Sequence, residues 1–399
     1  MSVPIHPLGV SAYTVTSALG HGLQDHLHAL DTGRSGLHAN DFSSAPLACW
    51  IGRVAGVEGS KLPNALSAWE CRNNRLAWLG LTQDGFADRV RMARERYGAG
   101  RIALILGTST ASIGATEEAY RRLDADGHMP PDLRRPAIHM PHSLVAFVAE
   151  ALGLEGPALT VSTACSSSAK VFASAERMIR LGLVDAAVVG GVDTLCDSVL
   201  FGFNALELVS PEPCQPFDRA RRGISIGEAA GFALLERTDA QPDAARLLGY
   251  GESSDAHHMS TPHPEGLGAE LALRAALARA GLEAAQVDYI NLHGTASLKN
   301  DEVEAALVAR AFPATTRASS TKAFTGHTLG AAGILEAAFT LLAIEHGLVP
   351  GNLGCNDPDP ACGPQFAWRN EQKRVHIALS NSFGFGGNNA CLAFGKVVA

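Results

Sequence analysis

The sequence predicts an α/β fold built from two similar halves. Stretches rich in aliphatic and β-branched residues alternate along the chain with alanine-rich stretches of helical periodicity. Several of the former are almost continuously apolar, which is typical of strands that helices cover on both faces. An internal repeat supports two halves, because a strand, a turn of small residues and a helix occur around residue 165 and again about 160 residues later.

Nine segments have the composition of strands, namely 101–109, 158–164, 185–193, 230–237, 245–253, 287–294, 316–321, 376–382 and 389–397. Helices are expected at about 166–181, 269–281, 301–311 and 330–346. A helix-rich insertion at about 112–157 should cap the site or form a subunit interface, and the opening strand looks short and degenerate. The segment "QPDAAR" (241–246) is the best candidate boundary, which divides the chain into residues 1–245 and 246–399.

Length and composition favour an enzyme. The chain has 399 residues, of which 46% are hydrophobic and 18% are charged, and its net charge of −8 argues against general nucleic-acid binding. No apolar run approaches the roughly 20 residues of a membrane span, and the N-terminus has no secretory signal. The eight cysteines form no C-x-x-C pair. We therefore expect a cytoplasmic protein that inserts into no membrane and binds no nucleic acid.

Cys165 lies between the strand ending in "VSTA" and the helix that begins "SSSAKVF". The free N–H groups of that helix start, together with the helix dipole, are expected to favour the thiolate, which is the nucleophilic form. Ser166, Ser167 and Ser168 can cap the first turn. A single cysteine in such a turn is more often a small buried hydrophobic residue, so a catalytic interpretation needs partners.

Two histidines supply those partners. His293 closes the strand "VDYINL" and is followed by glycine, at the strand end where α/β sheets bind ligands. His327 precedes a helix start made of small residues, so its ring could occupy a position like that of Cys165, and Lys322 lies five residues earlier. Each histidine alone is more often structural. Together with the cysteine they predict a Cys-His-His site.

The stretch "SNSFGFGGNNACLAF" (380–394) predicts a tight hairpin rather than a nucleotide loop. A nucleotide-binding G-x-G-x-x-G should open a helix, whereas this one leads into another strand. Its free N–H groups could complete an oxyanion hole with the N–H of Cys165. The loop "AHHMSTPH", with three histidines, is expected at the mouth of a pocket rather than on a metal ion, and no metal site is predicted.

Four motifs, in this order and at suitable spacing, resemble those of β-ketoacyl-[acyl carrier protein] synthases of the elongating KAS I/II type. They are "TACSSSA", "HGTAS" with a following "ND", "STKAFTGHTLGAAG" and "NSFGFGGNN". The segments "QPFDRARRGISIGEAAG" (215–231) and "SSDAHHMSTPHPEG" (253–266) also match, and the resemblance covers roughly residues 100–399 well. It implies the thiolase fold, in which two duplicated α/β halves form a five-layered αβαβα sandwich.

The resemblance implies an acyltransferase that performs a decarboxylative Claisen condensation. Cys165 would accept an acyl chain, and malonyl-carrier would lose CO₂ and attack the acyl group while His293 and His327 stabilise the negative oxygen. Lys322 would orient the histidines, with Glu304 as its ionic partner and Asp301 in support.

The remaining roles implied by the resemblance concern the substrate and its carrier. Phe385 would be the gate and the second oxyanion donor, and Thr295 and Ser297 would line the phosphopantetheine arm. No cofactor is implied, since that arm arrives on the acyl carrier protein. Candidate residues for docking this acidic carrier are Arg72, Arg75, Arg121, Arg122 and Lys170. The family also implies a homodimer, or a heterodimer with a ketosynthase-like subunit.

Alternatives stay open at this stage. A CoA-dependent thiolase-superfamily acyltransferase would need a second catalytic cysteine or an asparagine in place of His327. A chain-length-factor subunit, which shapes the pocket of an active partner, usually lacks the nucleophile. A thioesterase-like hydrolase would need an activated water beside the acyl-cysteine. Departures such as Ser297 for the usual threonine, and Gln215 for a usual basic residue, hint at polyene-type or secondary elongation rather than housekeeping fatty-acid synthesis.

Overall fold

The computed structural model describes residues 4–238 and 244–396. Within them, strands β1 to β16 span Leu8–Ser17, Gly20–His21, His38–Ala39, Trp50–Gly52, Ile102–Gly107, Ala158–Val161, Ala186–Asp193, Ile226–Gly227, Ala229–Arg237, Arg246–Ser254, Tyr289–Asn291, Arg317–Ser319, Leu348–Val349, Glu371–Gln372, Ile377–Gly384 and Asn388–Gly395. Helices α1 to α12 span Leu23–Thr32, Arg72–Leu81, Phe86–Tyr97, Ile113–Arg121, Pro136–His139, Ser143–Leu152, Ser167–Arg180, Asp197–Ala205, Leu267–Ala280, Leu298–Ala311, Lys322–Thr325 and Ala332–His346.

The same five-strand arrangement occurs twice. In the first half the strand order is β6-β5-β7-β9-β1, and in the second it is β12-β11-β15-β16-β10. The directions also match, because β5 is parallel to β6 and β7 as β11 is to β12 and β15, while β9 and β16 run antiparallel to their neighbours. Strands β1 and β10 join the halves at Leu8 and Leu247. The repeat inferred from the sequence is therefore a repeat of topology.

Successive residues of the strands face opposite sides of the sheet, and helices cover both faces of each half. In β5, Ala103 and Ile105 belong to a central apolar cluster with α7 and α12, whereas Ile102 and Leu104 point to an outer cluster with α2, α3 and α6. A third cluster lies between the second half and helices α9 and α10. The order of layers is thus helix, sheet, helix, sheet, helix.

Helices α7 and α12 form the middle layer and contact each other closely. A Cβ on Gly333 would lie 2.5 Å from the backbone nitrogen of Ala169, so only glycine permits this approach. The segment Leu329–His346 is long and apolar enough to cross a membrane by composition, but 89% of it is buried inside the protein. It is therefore a core helix, equivalent in position to α7.

The predicted strands and helices are present, and the main difference concerns β1. The opening strand is not short: it spans ten residues and lies at the junction of the halves. In the insertion, α6 packs on β5 and β6 as an outer-layer helix, whereas α4 packs on α8. The boundary after residue 245 stays a prediction, and residues 241–243 of the "QPDAAR" segment lie outside the described residues.

Candidate active site

The turn that carries Cys165 is backbone-strained and internally hydrogen-bonded. Ala164 has φ 52°, a left-handed conformation that is costly for a residue other than glycine and that is found at functional turns. Ser166 and Ser167 donate to the carbonyls three residues before them, at 2.9 and 2.6 Å. The Ser168 hydroxyl accepts from the N–H of Ile334 in α12. The expected capping role of these serines is therefore wrong; they fix the turn and its contact with α12 instead.

The structure brings Cys165, His293 and His327 together, as predicted. His327 Nε2 lies 2.9 Å from Cys165 Sγ. The two imidazoles meet edge to face with ring centroids 5.4 Å apart, and the sulfur and one nitrogen of each ring lie within 4.8 Å of one another. The sulfur comes from the first half of the chain, and both imidazoles come from the second.

Backbone hydrogen bonds fix both histidines. The His327 N–H donates to the Ser225 carbonyl at 2.7 Å, and its own carbonyl accepts from the Gly227 N–H at 3.0 Å. The N–H groups of His293 and Gly294 donate to the two carboxylate oxygens of Glu304, at 2.9 and 2.8 Å. The main chain at each histidine is therefore held by hydrogen bonds, which restricts where the ring can lie.

Lys322 determines which nitrogen of His293 carries the proton. Its ammonium lies 3.4 Å from His293 Nδ1 and donates to the His293 carbonyl. Because an ammonium can only donate, Nδ1 must accept, and the proton of the neutral ring sits on Nε2. The predicted ionic partner of Lys322 is wrong. Lys322 pairs with Glu336 of α12, since the Glu304 carboxylate is occupied by backbone amides and by Asn381.

Asp301 is buried and supports the loop that follows His293. One carboxylate oxygen accepts from the Thr295 N–H at 3.0 Å, and the other accepts from the Phe217 N–H at 2.8 Å. Arg221 lies 3.7 Å away as the nearest cation. Burial nevertheless raises the pKa of Asp301.

Burial dominates the electrostatics of the site. It raises the pKa of Cys165 to about 11, against the positive charge of Lys322 and the N–H groups of Phe385 and Cys165. The thiolate favoured by the helix start alone is thus not the resting form. The thiol and the two rings lie close enough together to ligate a metal ion. A cysteine ligand must be deprotonated, however, and the raised pKa of Cys165 disfavours that form. Burial also raises the pKa of Glu336 to about 7, opposed by Lys322.

Both imidazoles are expected to be neutral at physiological pH. Burial, reinforced by the charge of Lys322, lowers the pKa of His293 and His327 well below the usual range. A lowered histidine pKa means that the neutral ring persists as pH falls through 6.5 and protonates only well below it. Histidine NMR between pH 8 and 6, with signals assigned by their loss in His293→Ala and His327→Ala, should show no protonation. A midpoint near 6.5 for either ring would contradict this.

A glycine-containing loop after β15 closes over the sulfur. The N–H groups of Phe385 and Cys165 both face Sγ, which is where the predicted pair of oxyanion donors should be. A Cβ on Gly384 would lie 2.8 Å from the Thr163 carbonyl oxygen. The chain can therefore approach the Cys165 turn this closely only because residue 384 is glycine. The Phe385 ring packs on Phe203 of α8, with ring centroids 5.6 Å apart.

These groups line one cavity with a volume of about 370 Å³. The thiol and both imidazoles share it with the aromatic rings of Phe203, Phe383 and Phe385. Thr295 and Ser297, whose hydroxyls are 2.9 Å apart, lie on another wall. The histidine-containing loop forms part of the lining through His258, as expected of a pocket-mouth loop. The cavity therefore combines reactive side chains with apolar aromatic ones.

Each of the predicted docking residues has a partner in the described structure, and its docking role stays a prediction. Arg72 pairs with Glu228 and Glu58, Arg75 with Glu70, Arg121 with Asp197, Arg122 with Asp132, and Lys170 donates to Asn388. In the described parts of the chain, none of the five belongs to the cavity lining. The exposed cations that do are Arg222 and Lys299, which the sequence interpretation missed. Both lie in segments that resemble the family's motifs, "RARRG" and "SLKND", so a signal was present.

Comparison with known protein families agrees with this geometry. The family model for the N-terminal domain of β-ketoacyl synthases matches residues 75–241, and that for the C-terminal domain matches residues 244–356. The chain belongs to the β-ketoacyl synthase family. The predicted family, thiolase fold and acyltransferase activity are confirmed.

Two similar proteins and one similar structure illustrate the relationships of this β-ketoacyl synthase. It is 38% identical over 307 residues to nodulation protein E of Rhizobium meliloti (strain 1021), covering 74% of this chain and 76% of the relative. It is 40% identical over 265 residues to the mitochondrial 3-oxoacyl-[acyl-carrier-protein] synthase of Arabidopsis thaliana, covering 61% and 58%. A ketosynthase structure from Xenorhabdus doucetiae, in complex with its chain length factor, has a TM-score of 0.89 at 38% identity and 98% coverage of both chains.

Proposed function

We propose that this β-ketoacyl synthase binds an acyl chain covalently at Cys165 and elongates it with a malonyl unit delivered by an acyl carrier protein. One observation carries the residue roles: a thiol and two neutral imidazoles line a single cavity together with aromatic side chains, and two backbone N–H groups face the thiol sulfur. A nucleophile and donors for a developing oxyanion are the requirements of acyl transfer between thioesters.

In the first step, Cys165 Sγ attacks the carbonyl carbon of the acyl-carrier thioester. The carbonyl oxygen becomes negative and is stabilised by the N–H groups of Cys165 and Phe385. The bond to the carrier sulfur then breaks, and the carrier leaves as a thiol with the proton that Cys165 has lost. The acyl chain remains on Cys165, beside Phe203 and Phe385.

In the second step, malonyl-carrier loses CO₂. The electron pair of the broken C–C bond moves onto the thioester oxygen, where His293 and His327 donate hydrogen bonds. The donor nitrogen of His293 is Nε2, because Lys322 faces Nδ1. The carbanion then attacks the acyl carbon and forms the new C–C bond. Cys165 departs as a thiolate and takes up one proton from solvent, which balances the negative charge of the malonyl carboxylate that left as CO₂.

The test follows both steps by mass spectrometry. Incubation with acyl-carrier alone should add the acyl mass to the peptide that contains Cys165. Subsequent malonyl-carrier should release CO₂ and give a 3-oxoacyl-carrier two carbons longer. Free acid without a condensed product would indicate a thioesterase-like hydrolase, and acylation from acyl-CoA but not from acyl-carrier would support the CoA-dependent alternative.

For carrier docking, we propose the mouth of the cavity at Arg222 and Lys299. Their side chains are 59% and 69% exposed, and each has one carboxylate neighbour, Glu212 at 3.6 Å and Glu302 at 3.0 Å. Exposed pairs of this kind contribute little, so an acidic partner can replace the local carboxylates. The name of the Arabidopsis relative, which includes the acyl carrier protein, supports such a partner.

Charge reversal tests the docking site. The double variant Arg222→Glu, Lys299→Glu is expected to raise the KM for malonyl-carrier by about tenfold or more at low salt, because two attractive contacts become repulsive. The effect on kcat should be much smaller. Arg122→Glu is the matched control, as Arg122 is about half exposed but lies outside the cavity lining described for this chain. An equal effect of Arg122→Glu would instead support docking near the C-terminal end of α4, as the sequence predicts.

For the subunit partner, we propose a heterodimer with a chain-length-factor-like protein through the sheet edge at β6. Strand β6 ends the sheet, pairs only with β5 among the described strands, and carries Leu159 with 43% exposure. The structural relatives that pair a ketosynthase with a chain length factor support this assembly. Because Cys165 is present, this chain would be the catalytic subunit. Two copies in solution without such a partner would indicate the homodimer.

The setting of the reaction is also part of the proposal. The same paired relatives, together with the departures at Gln215 and Ser297, support polyene- or polyketide-type elongation rather than primary fatty-acid synthesis. All eight cysteines are free thiols. This fits a reducing cytoplasm, where we place the enzyme.

A further inference from the structure

We propose that Asp193 is a positioning residue that holds the turn of His327 against the first half of the protein. The inference rests on the proposed function, since it concerns the geometry of the Cys165–His327 pair. Residues 327–330, the His327 turn, connect the catalytic ring to the short turn of helix that leads into α12. Asp193 is the last residue of β7 and is completely buried.

The carboxylate of Asp193 accepts hydrogen bonds from both halves of the chain. From the loop after β5 it accepts the hydroxyls of Thr108, Ser109 and Thr110 at 2.6 to 2.8 Å, and the N–H groups of Ser109 and Thr110 at 3.0 and 2.8 Å. From the His327 turn it accepts the N–H of Gly330 at 2.6 Å. This last bond crosses from one half to the other.

The donors to Asp193 include no cationic side chain in the parts of the chain that the structure describes. Three N–H groups and three hydroxyls surround the carboxylate, which is the environment that stabilises a buried anion without a salt bridge. A charged acceptor makes stronger and shorter hydrogen bonds than a neutral one. The position of Gly330 is therefore set by the carboxylate.

Close packing at Gly330 is an independent sign of the same contact. A Cβ at this position would lie 2.7 Å from Asp193 Oδ2 and 2.8 Å from the backbone nitrogen of Ser109. Leu329, the preceding residue, has φ 56°, which is costly for a branched side chain. The backbone of the His327 turn is thus strained and pressed against the carboxylate, an arrangement that persists only where surrounding contacts enforce it.

The consequence concerns the catalytic pair. Cys165 and His327 come from different halves, so their 2.9 Å separation depends on how the halves are fixed to each other. His293 has an equivalent arrangement, because the buried carboxylate of Glu304 accepts the N–H groups of its turn. Each catalytic histidine is therefore positioned by one buried acid. A misplacement of about 1 Å in such a site can cost about a hundredfold in rate.

The first test is Asp193→Asn, which keeps the shape and removes the charge. Decarboxylation of malonyl-carrier and condensation are expected to fall by tenfold to about a hundredfold. The rate of Cys165 acylation should change less than about threefold, because the nucleophile and its two N–H groups stay in place. Asp185→Asn is the matched control, since Asp185 immediately precedes the opposite end of β7 and pairs with Arg101; it should alter neither step.

A second variant keeps the inference testable if Asp193→Asn fails to fold. Gly330→Ala leaves the charge in place and pushes the turn away from it, so the same division between the two steps is expected. Gly100→Ala is its control, because a Cβ there meets nothing within 4 Å. All assays are run well below the melting temperature of each variant.

The outcomes separate the two hypotheses. Equal loss of acylation and decarboxylation in both variants, or no loss in either, would mean that Asp193 is only structural and would overturn the inference. His327→Ala is measured in parallel. If that variant lacks the division between steps, or if the wild-type protein does not condense, the proposed function fails instead.

Discussion

Replacement of Cys165 by alanine is expected to abolish acyl transfer and condensation completely, while decarboxylation of malonyl-carrier continues. The thiol sulfur forms the covalent bond, and Cys165 is the only cysteine among the described residues that line the cavity. His293, His327 and Lys322 are untouched by this change and can still stabilise the enolate oxygen. The measurement is acyl-enzyme mass together with CO₂ release from malonyl-carrier.

The chain offers a sharp control for this experiment. Cys196 is also buried and also lies at a helix start, immediately before α8, where burial raises its pKa to about 12. It is not part of the described cavity lining. Cys196→Ala should therefore leave acylation intact. Acyl label that remains in Cys165→Ala and disappears in Cys196→Ala would show that the nucleophile has been misassigned.

His327→Ala is expected to have the opposite effect on the two steps: acylation persists and decarboxylation is largely lost. Acylation of Cys165 should persist, since the nucleophile, its two N–H groups and Lys322 remain. Decarboxylation and condensation should fall by about 10²–10³, which is the usual cost of removing one donor from an oxyanion site. Single-turnover acylation and CO₂ release from malonyl-carrier measure the two steps separately.

His327→Gln is the conservative companion, because its carboxamide can place an N–H donor near the position of Nε2. Its rates should lie between those of the wild type and His327→Ala if donation to the oxyanion is what matters. Loss of acylation with surviving decarboxylation in His327→Ala would reverse the assigned roles. In that case the ring 2.9 Å from Sγ would act as the base for the thiol.

The convergence of Cys165, His293 and His327 could be predicted because each residue sits in a motif whose local structure is simple: a strand end, a glycine and a helix start. The residues that contact and support this site could not be predicted. Glu336 is one of two glutamates in α12, and nothing in the sequence marks it rather than Glu304 as the partner of Lys322. The pair depends on the tertiary fold, which brings Lys322 of α11 next to Glu336 of α12.

The degree to which Cys165 is buried could not be predicted from the sequence either. The helix start and Lys322 both favour the Cys165 thiolate, but the desolvation that outweighs them depends on how completely the two halves enclose the sulfur. Strand β1 was underestimated for a related reason. Its buried Thr14 and Ser17 make it look polar, although both hydroxyls have hydrogen-bond partners inside the protein.

The repeated strand order has a consequence for how such chemistry can be encoded. The Cys165 turn and the His327 turn occupy corresponding places, each between the third of the five repeated strands of its half in chain order and the long middle-layer helix that follows. An assembly of two identical single halves would present two thiols or two imidazoles there. An unlike pair requires that the two halves differ in sequence at this turn, and in this protein the two differing halves belong to one chain.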